Sequence, residues 1–198
     1  MIDEQLLIEF GSKKISLDKG EVFFEQGDIA KYYYQIHEGE IKMSNFNEEG
    51  KEFIQGIFSA GQSFGEPPLF LDEIYPANAI AIKATEIYSL KKDIFFELLV
   101  SHPEIHLKIT ANLAKRLYFK SMMASEISSQ EPEHRIIKLI DYFKMKVNQL
   151  PKDEKYEVEI TRQQIADLTG LRVETVIRAI KSLEKKGELT IHNRKVHR

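Results

Sequence analysis

The chain reads as an α+β protein with a β-rich front, one long helix and a helical back that ends in a hairpin. Three observations predict this order. Eight of the ten glycines lie at or before Gly65 and divide short aromatic and β-branched runs. No glycine or proline occurs from Glu104 to Glu131. After that point, helix caps and a single turn glycine punctuate the segment 161–186.

The front is read first. Glu21–Glu25, Tyr32–Ile36 and Phe53–Phe58 are short runs of strand-forming residues with a turn between neighbours. Regular short strands of this kind predict a small antiparallel barrel or sandwich. Asn47-Glu-Glu-Gly50 is a hairpin tip, and Asn78–Ile82 and Glu86–Leu90 are two further strands. Asp93–Val100 is a short helix, and Ser101 with Glu104 reads as a capping box for the next one.

The next helix occupies the stretch Glu104 to Glu131, a helix of roughly 25 residues and about 38 Å at 1.5 Å per residue. Ile109, Leu113, Leu117, Ala124 and Ile127 recur at helical spacing, with Lys120 and Ser121 interrupting the stripe. Such a helix looks too long for one small barrel to cover. A second copy, packed as a parallel coiled coil, is its natural partner. The alternative is an amphipathic helix lying on its own barrel. Glu131-Pro132 then marks a hinge, because the residue before proline leaves helical geometry. The predicted parts are 1–103, a β domain; 104–131, a dimerisation helix; and 132–198, a helical domain that ends in a hairpin.

In the last part, Arg135–Val147 is a helix burying Ile136, Ile137, Leu139, Ile140 and Phe143, and Tyr156–Ile160 alternates like a strand. Thr161 and Gln164 form a capping box, Ile165, Ala166 and Leu168 make an inner face, and Gly170 permits a left-handed turn. The following helix buries Val173, Val176, Ile177 or Ile180, and Leu183. Its opposite face carries Arg172, Glu174, Thr175, Arg178 and Lys181. Two helices joined by a glycine turn, the second showing Arg and Glu near its start, make a DNA-reading helix-turn-helix. Arginine reads guanine O6 and N7, and glutamate accepts from cytosine N4. Gly187–Val196 reads as a hairpin wing whose tip, Asn193-Arg194-Lys195, lies near phosphate.

Charge supports two tasks. The net charge is −3, yet residues 133–198 carry 15 Lys and Arg against 10 Asp and Glu, and the first 132 carry 13 against 21. A basic back faces phosphate more readily than an acidic front. There is no cysteine, which removes thiolate zinc sites, catalytic thiols and ordinary iron–sulfur clusters. The N-terminus lacks the basic start and apolar run of a signal peptide, and no stretch is apolar enough to span a bilayer, so the expected location is the cytoplasm.

The chain resembles the Crp–Fnr family of transcriptional regulators. The resemblance rests on Ile160-Thr-Arg-Gln-Gln-Ile-Ala166 and Glu174-Thr-Val-Ile-Arg178 at the back, and on Gly61-Gln-Ser-Phe-Gly-Glu66 followed by Leu69-Phe70 at the front. It implies a double-stranded β-helix (jelly-roll) sensor of cyclic-nucleotide-binding type, a long dimer helix and a winged helix-turn-helix. By the same resemblance Arg162, Gln163, Thr175 and Lys181 lie at or near phosphate, and Glu174 and Arg178 read bases in a TGA-like core; read from the residues themselves, Arg172 caps poorly and is free for phosphate or base, and Arg194 meets phosphate from the wing tip. The implied partners are a pseudo-palindromic double-stranded operator, a second copy of the chain, a small-molecule effector and, for an activator, RNA polymerase.

The resemblance places an effector pocket on Gly65, Glu66, Ala77 and Asn78, and on Lys120 and Ser121. Departures follow. The Arg-Ser pair that clamps a cyclic phosphate falls on Pro76-Ala77, and the Thr-Ser pair that meets adenine falls on Lys120-Ser121. A buried phosphate without its arginine loses about 1.5–3 kcal/mol. Tight cyclic AMP binding is therefore not expected, and the effector is either another small molecule or dispensable. No haem, iron–sulfur cluster or metal is expected, and no catalysis. Two rival readings differ: a cyclic-nucleotide-responsive regulator with a non-standard phosphate contact, and a cupin-like metalloenzyme for which His37-Glu-Gly-Glu40 is the only hint.

Overall fold

The computed structural model describes residues 1–50, 52–128 and 131–198, with side chains given outside 126–128. The chain divides into two compact units, Met1–Arg116 and Leu117–Arg198. A single long helix contributes to both.

In the first unit, helix α1 (Glu4–Glu9) precedes eight strands: β1 (Lys13–Leu17), β2 (Val22–Phe24), β3 (Tyr32–Glu38), β4 (Glu40–Phe46), β5 (Glu52–Ser59), β6 (Ser63–Phe64), β7 (Asn78–Ala81) and β8 (Thr85–Lys91). A short helix α2 (Pro67–Leu71) separates β6 from β7. The strands form two four-stranded sheets, ordered β1-β8-β3-β6 and β2-β7-β4-β5, which make the expected β-roll. The Asn47–Gly50 tip joins β4 to β5, with Phe46 opposite Glu52. Aromatic rings fill the interior. Phe24 stacks on Tyr75 at 3.7 Å, and Tyr34, Phe64 and Phe58 continue the cluster. Rings give the largest burial per residue, and their offset contacts add about 0.5–1.5 kcal/mol per pair.

Helix α3 (Lys92–Ser101) is followed by α4 (Pro103–Ser128). The expected capping box of Ser101 and Glu104 does not form. Ser101 is the last residue of α3, and its hydroxyl donates back to the Glu97 and Leu98 carbonyls at 2.9 and 3.2 Å. Pro103 opens α4 instead, since a proline at the first helical position has no N–H to leave unsatisfied. The end of the expected helix, residues 129–130, lies outside the described residues.

The α4 stripe splits between two faces. Ile109 is only 1% exposed and belongs to the core of the roll with Ile105, and Leu113 packs against that core. Both were expected in a dimer seam, and both instead cover their own barrel. Leu117 is 67% exposed, Ala124 is also exposed, and the Ile127 side chain lies outside the described residues. The reason is geometric. Each step of four residues turns the helix by 400°, so the run 109–113–117 drifts by about 80°.

The second unit holds α5 (Pro132–Tyr142), a π-helical turn (Phe143–Val147), α6 (Arg162–Thr169), α7 (Val173–Lys185), β9 (Thr190–His192) and β10 (Lys195–His197). Ile136, Leu139, Ile140, Ile165, Val176, Ile180, Leu183 and Val196 are its main buried side chains. Three details depart from expectation. Phe143 and Ile137 are half-buried, while the π turn brings Lys144 inside, where its ammonium donates to the Lys152 carbonyl at 2.5 Å. The stretch 156–160 is a bridge at Glu157 rather than a strand, with Tyr156 and Val158 bonded to Arg198 and Val196 backbone. On α7, Val173 was expected inside and is half-buried, with Ala179 buried instead; of the alternatives Ile177 and Ile180, Ile180 is the buried one and Ile177 is exposed.

Candidate nucleic-acid interface

The interface is built from α6, α7 and the hairpin β9–β10. Thr161 accepts from the Gln164 amide, and the Gln164 side chain accepts from the Thr161 amide at 2.8 Å, completing the capping box. Gly170 closes α6 at φ 69°, a left-handed turn that costs a side chain about 1–2 kcal/mol and glycine little. Arg172 then sits at the N-cap of α7 with no capping bond, so its guanidinium is not spent on the helix.

Arg172, Glu174, Arg178 and Lys181 are exposed along one side of α7, with half-buried Thr175 beside them. None of the four charged residues is ion-paired with another described residue. Glu174 and Arg178 are four apart, a spacing that allows an ion pair, yet they make none. Other charges of this unit are neutralised internally. Lys186 binds Glu133 at 2.5 Å, Lys195 binds Glu157, and Arg198 holds Asp141 at 2.7 Å and Glu188 at 2.8 Å. Hydrogen bonds from Lys186 and Lys195 hold the Glu133 and Glu157 carboxyls below their ordinary range.

The wing turns through Asn193 and Arg194, whose φ values are 49° and 67°. Two successive positive φ values are the geometry of a two-residue hairpin that follows the twist of its strands. Arginine is an unusual choice for the second place. Its carbonyl accepts weakly from Arg162 at 3.4 Å, so Arg162 and Arg194 meet where α6 approaches the wing. Gln163, also expected at phosphate, donates its side-chain amide to Asp167 at 2.9 Å, which orients it along α6.

Four residues of the expected effector pocket, Gly65, Glu66, Ala77 and Asn78, lie in the first unit. Gly65 is buried at φ 71°, and a Cβ there would come within 3.2 Å of Phe24 and Tyr75. Glu66 is 1% exposed, and its two carboxylate oxygens accept from Arg116 at 3.1 and 3.0 Å. Ser63 donates to the same carboxylate, and Arg116 also donates to the Ser63 carbonyl at 2.5 Å. The guanidinium lies 4.8 Å from the centroid of the Phe58 ring. Ala77 is buried and offers a methyl group. Asn78 accepts from the Gln26 amide at 2.9 Å and donates to the Ser44 carbonyl at 3.3 Å. Lys120 and Ser121 belong to the second unit, exposed on α4. Arg116 was not expected. Its only sequence signal is a cation on a helix face that otherwise packs on the roll, beside Leu113.

A β-roll followed by a winged helix-turn-helix with an uncommitted charged face on its second helix defines a DNA-binding transcriptional regulator. The family model for the cyclic nucleotide-binding domain matches residues 14–102, and that for the Crp-like helix-turn-helix domain matches 134–197. Among curated proteins, the chain is 29% identical over 171 residues to the cAMP-activated global transcriptional regulator CRP of Haemophilus influenzae, covering 86% of this chain and 76% of that protein. It is 26% identical to CRP of Escherichia coli O6:H1, covering 86% and 82%. Among solved structures, the c-di-GMP responsive regulator CLP of Xanthomonas campestris superposes with a TM-score of 0.77 at 21% identity, over 98% of both chains. A CooA variant from Carboxydothermus hydrogenoformans gives 0.79 at 18% identity, over 99% of this chain and 87% of that one. At such identities these structures speak for the fold. The chain belongs to the Crp–Fnr family and is a DNA-binding transcriptional regulator.

Proposed function

We propose that the chain binds a pseudo-palindromic operator as a homodimer, with α7 of each copy in the major groove, and that this binding does not depend on cyclic AMP. The observation that carries the DNA reading is the set of side chains Arg172, Glu174, Arg178 and Lys181, without ion pairs among the described residues, on one side of α7. Arg178 donates to guanine and Glu174 accepts from cytosine, which sets a G·C pair in each half-site. Arg162, Gln163, Thr175, Lys181 and Arg194 lie toward phosphate. Two α7 helices about 34 Å apart enter successive grooves.

The seam of the dimer is the outward side of α4. Leu107, Ala111, Ala114, Tyr118 and Ser121 are exposed there at spacings of four, three, four and three, a heptad pattern, with Leu117 and Ala124 exposed beside them. Independence from cyclic AMP is supported by the roll interior. Glu66 already holds a cation, the Ala77 side chain supplies no donor, and aromatic rings occupy the centre. No haem, metal or iron–sulfur cofactor enters this reading, RNA polymerase is the partner if the chain activates, and the cytoplasm is the place of action. No helix among the described residues is long and apolar enough to cross a membrane.

Binding-site selection with wild type, Arg178→Ala and Arg162→Ala tests the assignment. Arg178→Ala costs about 1–3 kcal/mol per half-site and relaxes one base position, whereas Arg162→Ala weakens all sequences alike and lowers the salt slope by about one unit. Unchanged base preference in Arg178→Ala, or an altered one in Arg162→Ala, overturns these roles.

A further inference from the structure

On the outside of the roll, α2 and the segment before β7 leave an open groove of about 720 Å³. Its walls include Phe46, Pro67, Pro68, Leu71 and Ile74. Three of these are large and solvent-facing, with Leu71 69%, Ile74 52% and Phe46 51% exposed. Isolated exposed apolar side chains are ordinary, but several lining one concavity of this size mark a binding surface.

The charge of the groove selects the occupant. Glu73 is the one residue of Asp, Glu, Lys, Arg or His type among the described residues that line it. Its neighbour Asp72 is taken by Lys92, while Glu73 has no ion pair among the described residues. The two amide side chains of the lining, Gln26 and Asn78, are already tied together through Asn78 and the Gln26 backbone, and Gln26 also accepts from Asn45. A carboxylate without an ion pair, lining the same groove as an exposed aromatic ring and aliphatic walls, repels anions and attracts a cation with an apolar body. We infer that this groove binds a small lipophilic amine or ammonium ion, with Glu73 at its charged head and Phe46, Leu71 and Ile74 around its body. This site is separate from the Glu66–Arg116 pair and does not rest on how the chain reads DNA.

Three probes with one body and different heads test it: 4-phenylbutylamine, 4-phenylbutanol and 4-phenylbutyrate, titrated at millimolar concentration against the full chain and followed by calorimetry and ligand-observed NMR. The amine should bind severalfold more tightly than the alcohol, and the acid least. Glu73→Gln should bring amine and alcohol to equal affinity, while Phe46→Ala should weaken both. Circular dichroism establishes that each variant is folded, and both positions are exposed, so the fold tolerates the change. Absence of saturable amine binding, equal binding of amine and acid by the wild type, or an amine preference that survives Glu73→Gln overturns the inference.

Discussion

In the roll, Glu66 is buried and its charge is met by Arg116; on α7, Glu174 and Arg178 stand four residues apart and leave each other alone. The same residue types serve opposite ends. A carboxylate taken out of water must find a cation or lose several kcal/mol, so the roll supplies its own. A side chain left in water has no such need and keeps its hydrogen-bonding capacity for DNA. Burial, rather than residue type, separates a charge that maintains the fold from one that contacts a partner.

The sharpest test contrasts two positions on α4. Ile109→Glu puts a charge into the core of the roll, and its expected outcome is loss of the folded sensor unit by circular dichroism. Leu117→Glu changes only the exposed side and should leave a folded monomer in sedimentation. A Leu117→Glu protein that remains dimeric would refute the seam assigned to α4.

The second test removes the internal cation. Arg116→Met strands the Glu66 carboxylate and should lower stability by about 3 kcal/mol in urea unfolding. The double variant with Glu66→Leu should recover much of that loss, because two apolar groups of similar volume need no partner. If the single variant is as stable as wild type, Glu66 is not held as described.

At the wing the effects are smaller and opposite in sign. Arg194 adopts a left-handed conformation that glycine adopts freely, so Arg194→Gly should gain about 1 kcal/mol of stability. The same change should lower the salt slope of DNA binding by about one unit, since one cation is lost. A wing that gains stability without losing salt dependence would place Arg194 away from phosphate.

The smallest effect concerns acid. The Glu133 carboxyl is held below its ordinary value of 4.5, first by its hydrogen bond from Lys186. A carboxylate with a lowered pKa in the folded state stabilises fully above its unfolded pKa, and that contribution is lost as the pH falls through the folded value. The urea midpoint of the wild type should therefore drop slightly more below pH 4.5 than that of Glu133→Gln. The Glu157–Lys195 pair acts in the same direction.

Much of this protein follows from the order of its residues. Thr161, Gln164 and Gly170 set the caps and turn of the helix-turn-helix, because capping is a local matter of a few neighbouring amides and carbonyls. Asn47–Gly50 set a hairpin for the same reason. The charged side of α7 was also legible, since the positions that alternate with Val176, Ile180 and Leu183 must face out once those are buried. Only the tertiary structure decided which α4 residues meet the roll. The apolar repeat of Ile109, Leu113 and Leu117 is one stripe in sequence, but helical drift carries it from a covered face to an open one. It also decided the partner of the buried Glu66 carboxylate, which is Arg116, fifty residues further along. A helix cap is fixed by its immediate neighbours, whereas the partner of a buried charge depends on which distant segment the chain brings to it.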